Sequence, residues 1–97
     1  MSRVVVQCSL YMKEHEKILK AFANHRRLQI IKFLKDKKLA TVTSISEHLK
    51  LSFKSTSKHL AVLFGAGIVE KEQNNLSMFY SVSDTLPKLA TQIINII

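Results

Sequence analysis

The stretch TVTSISEHLKLSFKSTSKHLAVLFGAGIV, residues 41–69, predicts two short helices separated by a tight turn. In the first helix Ile45 and Leu49 stand four residues apart, so both fall on one helical face. Its amino end offers three hydroxyl residues that can cap free backbone N–H groups, namely Thr41, Thr43 and Ser44. Because Ser44 with Glu47 also fits a capping box, the sequence leaves the choice of cap open.

The second predicted helix covers residues 53–64, with Ser52 as its N-cap. The helical period turns Thr56, Leu60 and Leu63 inward and leaves Lys54, Ser55, Ser57 and Lys58 on the outer side. No carboxylate occurs between Ser52 and Phe64. A face of cations and hydroxyls suits an approach to phosphates and base edges in the major groove of DNA.

Two blocks of this sequence resemble the ArsR-type winged-helix repressors. Residues 51–63, LSFKSTSKHLAVL, followed by AGIV at 66–69, are similar to the family pattern L-S-x-S-T-V-S-R/K-H-L-x-x-L…A-G-L/I-V. Residues 19–31, LKAFANHRRLQII, resemble the family's L-K-A-L-A-D-P-T-R-L-x-I-L, in the same order and at the same separation. The resemblance implies a mainly α fold with a small two-stranded β-wing. We therefore expect a dimeric winged helix-turn-helix, with residues 1–97 forming one domain.

The resemblance also implies a function. Members of the family bind double-stranded DNA as homodimers at inverted-repeat operators, and many repress transcription by covering a promoter. The family positions that contact DNA correspond here to Lys54, Ser55, Ser57, Lys58 and His59. The alternative hypothesis is a winged helix that serves as a protein-interaction module, which would need no basic helix face.

Two further positions in these blocks leave alternatives open. Phe53 replaces the polar residue usual at the start of the second helix, and it either meets a thymine methyl group in the groove or folds back into the core. Arg27 matches a family arginine and either reaches a phosphate or forms a salt bridge.

Beyond the helix pair, two strands are predicted at Ile68–Gln73 and Leu76–Val82, joined by Asn74-Asn75. Many relatives carry Arg or Lys along this wing, whereas residues 70–75 here carry a net charge of −1. We therefore expect little insertion of the wing into a minor groove. Lys71, Asn74 and Asn75 remain candidates for contacts with the DNA backbone.

The rest of the chain predicts helices before and after this region. Residues 1–9 are ambiguous, because Val4-Val5-Val6 favours a strand but has no evident partner; a helix is predicted from about Leu10 to Phe22. Asn24 is the predicted cap of the next helix, whose buried residues we expect to be Leu28, Ile31, Phe33 and Leu34. Asp84 is predicted to cap the last helix, with Pro87 in its first turn.

The last helix is apolar almost all round, which predicts a dimer interface formed with the first helix. The residues that we assign to this interface are Leu10, Leu89, Ile93, Ile94, Ile96 and Ile97. Such a pairing would hold two DNA-reading helices one helical turn of DNA apart.

Composition narrows the class of protein. The chain has 15 Lys and Arg against 7 Asp and Glu, a formal net charge of +8, which favours a polyanionic partner. Its one cysteine, Cys8, cannot form an internal disulfide, and no segment reaches the ~18 apolar residues of a membrane span. We expect a cytoplasmic protein without a membrane association. No phosphate loop or nucleophile–histidine signature points to an enzyme.

The sequence also predicts that no metal or cofactor is bound. Metal sensors among the ArsR-type repressors that this sequence resembles carry C-V-C-D-L where this chain has Thr41-Val42-Thr43-Ser44-Ile45. Two hydroxyls therefore stand where thiolates are needed. A second family site requires His and Glu on the last helix, and neither residue type occurs after Glu72. The four histidines, at positions 15, 25, 48 and 59, show no metal-ligand spacing.

Overall fold

The computed structural model describes the backbone of residues 2–97 and the surroundings of side chains from residue 11 onward. The elements in order are α1 (Ser2–Phe22), α2 (His25–Lys37), β1 (Ala40–Thr41), α3 (Val42–Leu49), α4 (Phe53–Gly65), β2 (Val69–Asn74), β3 (Ser77–Val82) and α5 (Lys88–Ile96). Residues 2–9, left ambiguous by the sequence, continue α1 as helix. The side chains of Cys8 and Leu10 lie outside the described residues.

The core lies where α1, α2, α3, α4 and α5 meet over one end of a small sheet. Its most deeply buried apolar residues come from five elements and the α4–β2 loop: Ala21, Ile30, Ile31, Leu34, Ile45, Leu60, Leu63, Ile68 and Ala90. The buried face predicted for α2 is confirmed at Ile31, Phe33 and Leu34. Leu28 is only partly buried, and Ile30, which the prediction omitted, is fully buried.

Three polar side chains cap the amino ends of α2, α3 and α4. Asn24 accepts hydrogen bonds from the backbone N–H groups of Arg26 and Arg27, at 3.0 and 3.1 Å, and so begins α2 as predicted. Of the three hydroxyls that could cap α3, Thr41 does so, accepting from the N–H of Ser44 at 3.1 Å. Ser52 caps α4 as predicted, accepting from the N–H of Ser55 at 3.0 Å.

The turn between α3 and α4 is short because one residue reverses the chain. Lys50 adopts a left-handed conformation with φ of 56°, and its N–H bonds back to carbonyls at the end of α3. At the other end of α4, Gly67 has φ of 76°, a conformation that costs glycine little. The predicted helix–turn–helix and its glycine stop are therefore present.

The sheet has three strands in the order β1-β3-β2, all antiparallel, so the prediction of a two-stranded wing was wrong in its strand count. The additional strand is the two-residue β1, which pairs Ala40 with Tyr80 and Thr41 with Phe79. The hairpin between β2 and β3 turns through Asn75 and Leu76, one residue later than predicted, and Asn75 has φ of 58°.

The start of the last helix also differs from the prediction. Helix α5 begins at Lys88 with Pro87 at its N-cap, and Asp84 does not cap it. Instead, the connection from β3 is held by Ser83, whose hydroxyl donates to a carboxylate oxygen of Glu70 at 3.0 Å. At the carboxyl end of α5, the Lys35 ammonium donates to the carbonyl oxygen of Ile94 at 2.9 Å and so joins α5 to α2.

Replacing Asn24 by Ala should lower the free energy of unfolding by about 1 kcal/mol, because the first N–H groups of α2 lose their acceptor. Asn24→Asp is the matched control, since its carboxylate can still accept both hydrogen bonds. Urea unfolding followed by circular dichroism measures both variants. Equal losses in the two variants would contradict the capping role.

Candidate nucleic-acid interface

The outward side of α4 carries cations and hydroxyls. Lys54 and Lys58 are exposed, and Ser55 and Ser57 are partly buried. The opposite side is anchored, since Thr56, Leu60 and Leu63 are all fully buried, as predicted. The Thr56 hydroxyl donates to the carbonyl oxygen of Ser52 at 2.9 Å, which satisfies the one polar group on that side. The rotation of α4 is thereby fixed with its cations facing away from the core.

Phe53, the first residue of α4, is 59% exposed, so the alternative that placed it in the core was wrong. It borders a shallow cavity of about 420 Å³ that separates the start of α4 from the tip of the wing. The other lining residues are Thr41, Val42, Thr43, Leu76, Ser77 and Met78. The start of α4 and the wing tip therefore lie on the same side of the molecule.

Arg27 forms hydrogen bonds rather than the salt bridge that the sequence left open. Its Nε donates to the carbonyl oxygen of Ala21 at 2.8 Å, and its Nη2 donates to that of Lys20 at 3.2 Å. Its Nη1 lies 3.4 Å from Nδ1 of His59 on α4. One guanidinium thus connects the end of α1 with the helix that carries the cations.

His59 is partly buried on the flank of α4 that faces α1 and α2. Burial lowers the pKa of His59 below its usual value of 6.5, and the positive charges of Arg27 and then Arg26 lower that pKa further. The neutral form of the imidazole is therefore favoured at pH 7.

The wing bears few groups that could approach phosphate. Lys71 is drawn toward α4, with its ammonium 4.4 Å from the centroid of the Phe64 ring. Asn74 ends β2 and Asn75 begins the turn, and both are exposed. Leu76, at the tip, is 100% exposed, a feature that the sequence analysis did not single out. Glu70 accepts a hydrogen bond from the Ser83 hydroxyl, whereas Glu72, the other carboxylate of β2, has no hydrogen-bond partner among the described residues.

The faces assigned to the dimer interface are only partly free in a single chain. Ile94 is 5% exposed and packs in the core of its own chain, so its assignment to a subunit interface was wrong. Ile96 is 84% exposed, whereas Leu89, Ile93 and Ile97 are partly buried against the core. Helix α1 adds exposed apolar residues that the assignment omitted: Tyr11, Met12 and Leu19.

Helices α1 and α5 also border an open cavity of about 370 Å³. It is lined by Tyr11, Glu14, His15, Ile18, Pro87, Lys88 and Leu89. The free apolar surface near α5 thus continues onto α1.

The residues at the position of a family metal site have structural roles. Thr41 caps α3, and the carbonyl oxygen of Thr43 accepts a hydrogen bond from the Ser46 hydroxyl at 2.9 Å. Among the side chains from residue 11 onward, no group of three or more His, Cys, Asp and Glu residues is arranged to hold a metal ion. Within the described chain, no helix has the length and apolar character needed to cross a bilayer.

Comparison with known proteins places this geometry in a family. The model of the family described as bacterial regulatory protein, arsR family, matches residues 24–71. The transcriptional activator HlyU of Vibrio cholerae is 38% identical over 78 residues, which cover 80% of this chain and 71% of HlyU. The chain belongs to the ArsR family.

Solved structures of other regulators share the fold of this ArsR-family chain. The reduced form of Vibrio cholerae HlyU superimposes with a TM-score of 0.78 at 31% identity, over 93% of this chain and 90% of HlyU. The transcriptional repressor PagR of Bacillus anthracis gives 0.76 at 28% identity, covering 91% and 97%. A homodimeric winged helix-turn-helix DNA-binding domain from Mycobacterium bovis gives 0.80 at 21% identity, covering 93% and 80%.

The segment matched by the ArsR family model begins at Asn24, the cap of α2, and ends at Lys71 in β2. It therefore includes Arg27, the whole of α4 and the first half of β2. Helices α1 and α5 lie outside it and are aligned through the solved structures, which cover about nine-tenths of the chain.

The lowered pKa of His59 predicts that acid destabilises this ArsR-family protein. Below about pH 6.5 the unfolded chain takes up a proton on this residue that the folded chain does not, so the free energy of unfolding falls as pH decreases. His59→Gln should show a shallower fall between roughly pH 7 and pH 5, measured by urea unfolding at each pH. Identical slopes for the two proteins would contradict the prediction.

Proposed function

We propose that this chain binds specific double-stranded DNA sequences as a homodimer at an inverted-repeat operator, and that it represses transcription by covering a promoter. One observation carries the proposal, namely that α4 is anchored by three fully buried residues and turns Lys54 and Lys58 outward. An anchored helix presents its polar face without losing conformational freedom on binding, which favours a fixed docking geometry.

The chemistry of this face suits a major groove. Lys54 and Lys58 supply cations for phosphates, and Ser55 and Ser57 supply hydroxyls that can donate or accept at base edges. Phe53 offers an apolar edge for a thymine methyl group, in keeping with its 59% exposure. The net charge of +8 adds long-range attraction to polyanionic DNA.

The homodimer is supported by apolar surface outside this face. Tyr11, Met12 and Leu19 on α1 and Ile96 on α5 are all at least half exposed, although large apolar side chains favour burial. Pairing of these helices across a twofold axis would give two copies of α4 for two half-sites, about 34 Å apart on one side of the duplex.

Repression is the proposed direction of control. The Bacillus anthracis relative, 28% identical, is a transcriptional repressor, whereas Vibrio cholerae HlyU is a transcriptional activator. A compact dimer that covers an operator within a promoter excludes other proteins by occupying the same DNA. In vitro transcription from a promoter containing the selected operator decides the direction, and increased transcript would assign activation instead.

Selection of bound duplexes from a random DNA pool tests the central claim. We expect enrichment of an inverted repeat whose half-sites are centred about one helical turn apart. Absence of enrichment, together with retained folding, would favour the protein-interaction module.

Lys54→Ala should weaken DNA binding and reduce its dependence on salt. The change removes one phosphate contact per subunit and two per dimer, so the slope of log affinity against log salt should fall by about 2 × 0.9. Fluorescence anisotropy across a salt series measures the slope. Lys37→Ala is the matched control, because Lys37 is also exposed but lies ten residues beyond Arg27 on α2, about 15 Å along that helix. Equal slopes for both variants would place Lys54 outside the interface.

The double variant Leu19→Glu with Ile96→Glu should be a folded monomer without specific DNA binding. Both side chains are at least half exposed in the single chain, so a carboxylate is tolerated there but not in an apolar subunit interface. Sedimentation equilibrium measures the mass, circular dichroism the fold and anisotropy the DNA affinity. Leu39→Glu is the control, since Leu39 is 53% exposed but lies between α2 and β1. A double variant that remains dimeric would place the interface elsewhere.

A further inference from the structure

The contact between Arg27 and His59 joins residues 32 positions apart in sequence. Arg27 is held on its other side by two carbonyl oxygens at the end of α1, those of Ala21 at 2.8 Å and Lys20 at 3.2 Å. These carbonyls belong to the last turn of a helix, where no further backbone N–H is available to bond them. The guanidinium is therefore fixed in the plane from which its Nη1 reaches the imidazole.

The direction of this hydrogen bond follows from the chemistry of the two groups. A guanidinium has five N–H donors, no acceptor and a permanent positive charge. Nδ1 of His59, 3.4 Å from Nη1 of Arg27, must therefore accept. In a neutral imidazole the nitrogen that accepts has no proton, so the proton resides on Nε2.

The neutral state of the ring agrees with this assignment. Burial, then the charges of Arg27 and Arg26, lower the pKa of His59, and a neutral ring keeps the Nδ1 lone pair available. A protonated ring would place a second N–H against the guanidinium.

The remaining ring nitrogen reaches the surface. Nε2 of His59 has no hydrogen-bond partner among the described residues. Within that same part of the chain, no buried side-chain nitrogen or oxygen lacks a partner, so Nε2 is open to solvent. It lies on α4 one turn after Ser55, on the helix that carries Lys54 and Lys58.

We propose that Arg27 is a positioning residue which holds His59 in the Nε2–H tautomer, so that His59 donates a hydrogen bond to an acceptor on duplex DNA. This inference rests on the proposed DNA binding. The acceptor is a purine N7, guanine O6 or thymine O4 at a base edge, or else a phosphate oxygen. In this tautomer Nε2 of His59 cannot accept from the exocyclic amino group of cytosine or adenine. His59 can therefore only donate to the DNA, whereas an untethered histidine could donate or accept.

Nuclear magnetic resonance of the free protein tests the tautomer. In long-range ¹H–¹⁵N correlation spectra of the ¹⁵N-labelled full chain at pH 8, His59 should show a protonated Nε2 and an unprotonated Nδ1. Arg27→Met should shift the Nδ1 resonance toward the averaged value of an untethered imidazole. Arg26→Met is the matched control, because it removes the neighbouring cation but no hydrogen bond to His59. A proton on Nδ1 in the wild-type protein, or an Nδ1 resonance unaffected by Arg27→Met, would overturn the inference.

DNA binding tests the role of the donor. His59→Gln places an amide N–H near the position of Nε2 and should retain affinity for the selected duplex within about threefold. His59→Leu removes the donor and should lose about tenfold or more, in the range expected for a specific polar contact. A loss on the selected duplex alone identifies a base edge, and an equal loss on a scrambled duplex identifies a phosphate oxygen.

The two proposals fail in different ways. If the wild-type chain binds no duplex, the proposed function is wrong, whatever the tautomer. If the wild-type chain binds its selected duplex and His59→Leu binds it equally well, only the role of His59 is overturned.

Discussion

The burial of one side of α4 is the constraint on which the rest of the molecule depends. Leu60 and Leu63 are completely enclosed, and each contributes roughly 1.5–3 kcal/mol of hydrophobic stabilisation. Shifting α4 by two positions would expose them and would place Lys54 and Lys58 where Thr56 and Leu60 are buried, which is costly without a partner. The same packing that stabilises the domain therefore determines which side chains face outward, and the polar face needs no contacts of its own to be oriented.

The sequence predicts most accurately where local chemistry decides the structure. The caps at Asn24 and Ser52 and the buried period of α4 were all predicted, because each depends on residues two to four positions apart. The third strand was missed because β1 has only two residues and exists through pairing with Tyr80 and Phe79, 40 and 38 positions away. The sequence could not show that Ile94 is buried and Ile96 exposed, because α5 is apolar on most sides and only its packing shows which isoleucine enters the core.

In the candidate site, too, some features follow from the sequence and others only from the fold. Lysine and serine positions on α4 follow from helical periodicity and from resemblance to the family. The hydrogen bonds of Arg27 do not follow from periodicity or resemblance, because its partners are two backbone carbonyls and a histidine from another helix. From the sequence, a phosphate or a carboxylate was the expected partner of this arginine, since the sequence shows charge. An unpaired carbonyl at the end of a helix is visible only in the fold.

The Arg27 guanidinium is hydrogen-bonded to both α1 and α4, and this restricts which substitutions the chain can accept. A substitution that alters the final turn of α1 moves the two carbonyls that hold Arg27, and a substitution at His59 removes the third partner of the same group. Effects of such substitutions are not additive, because they share one side chain. The final turn of α1 and position 59 of α4 are therefore constrained to vary together through Arg27.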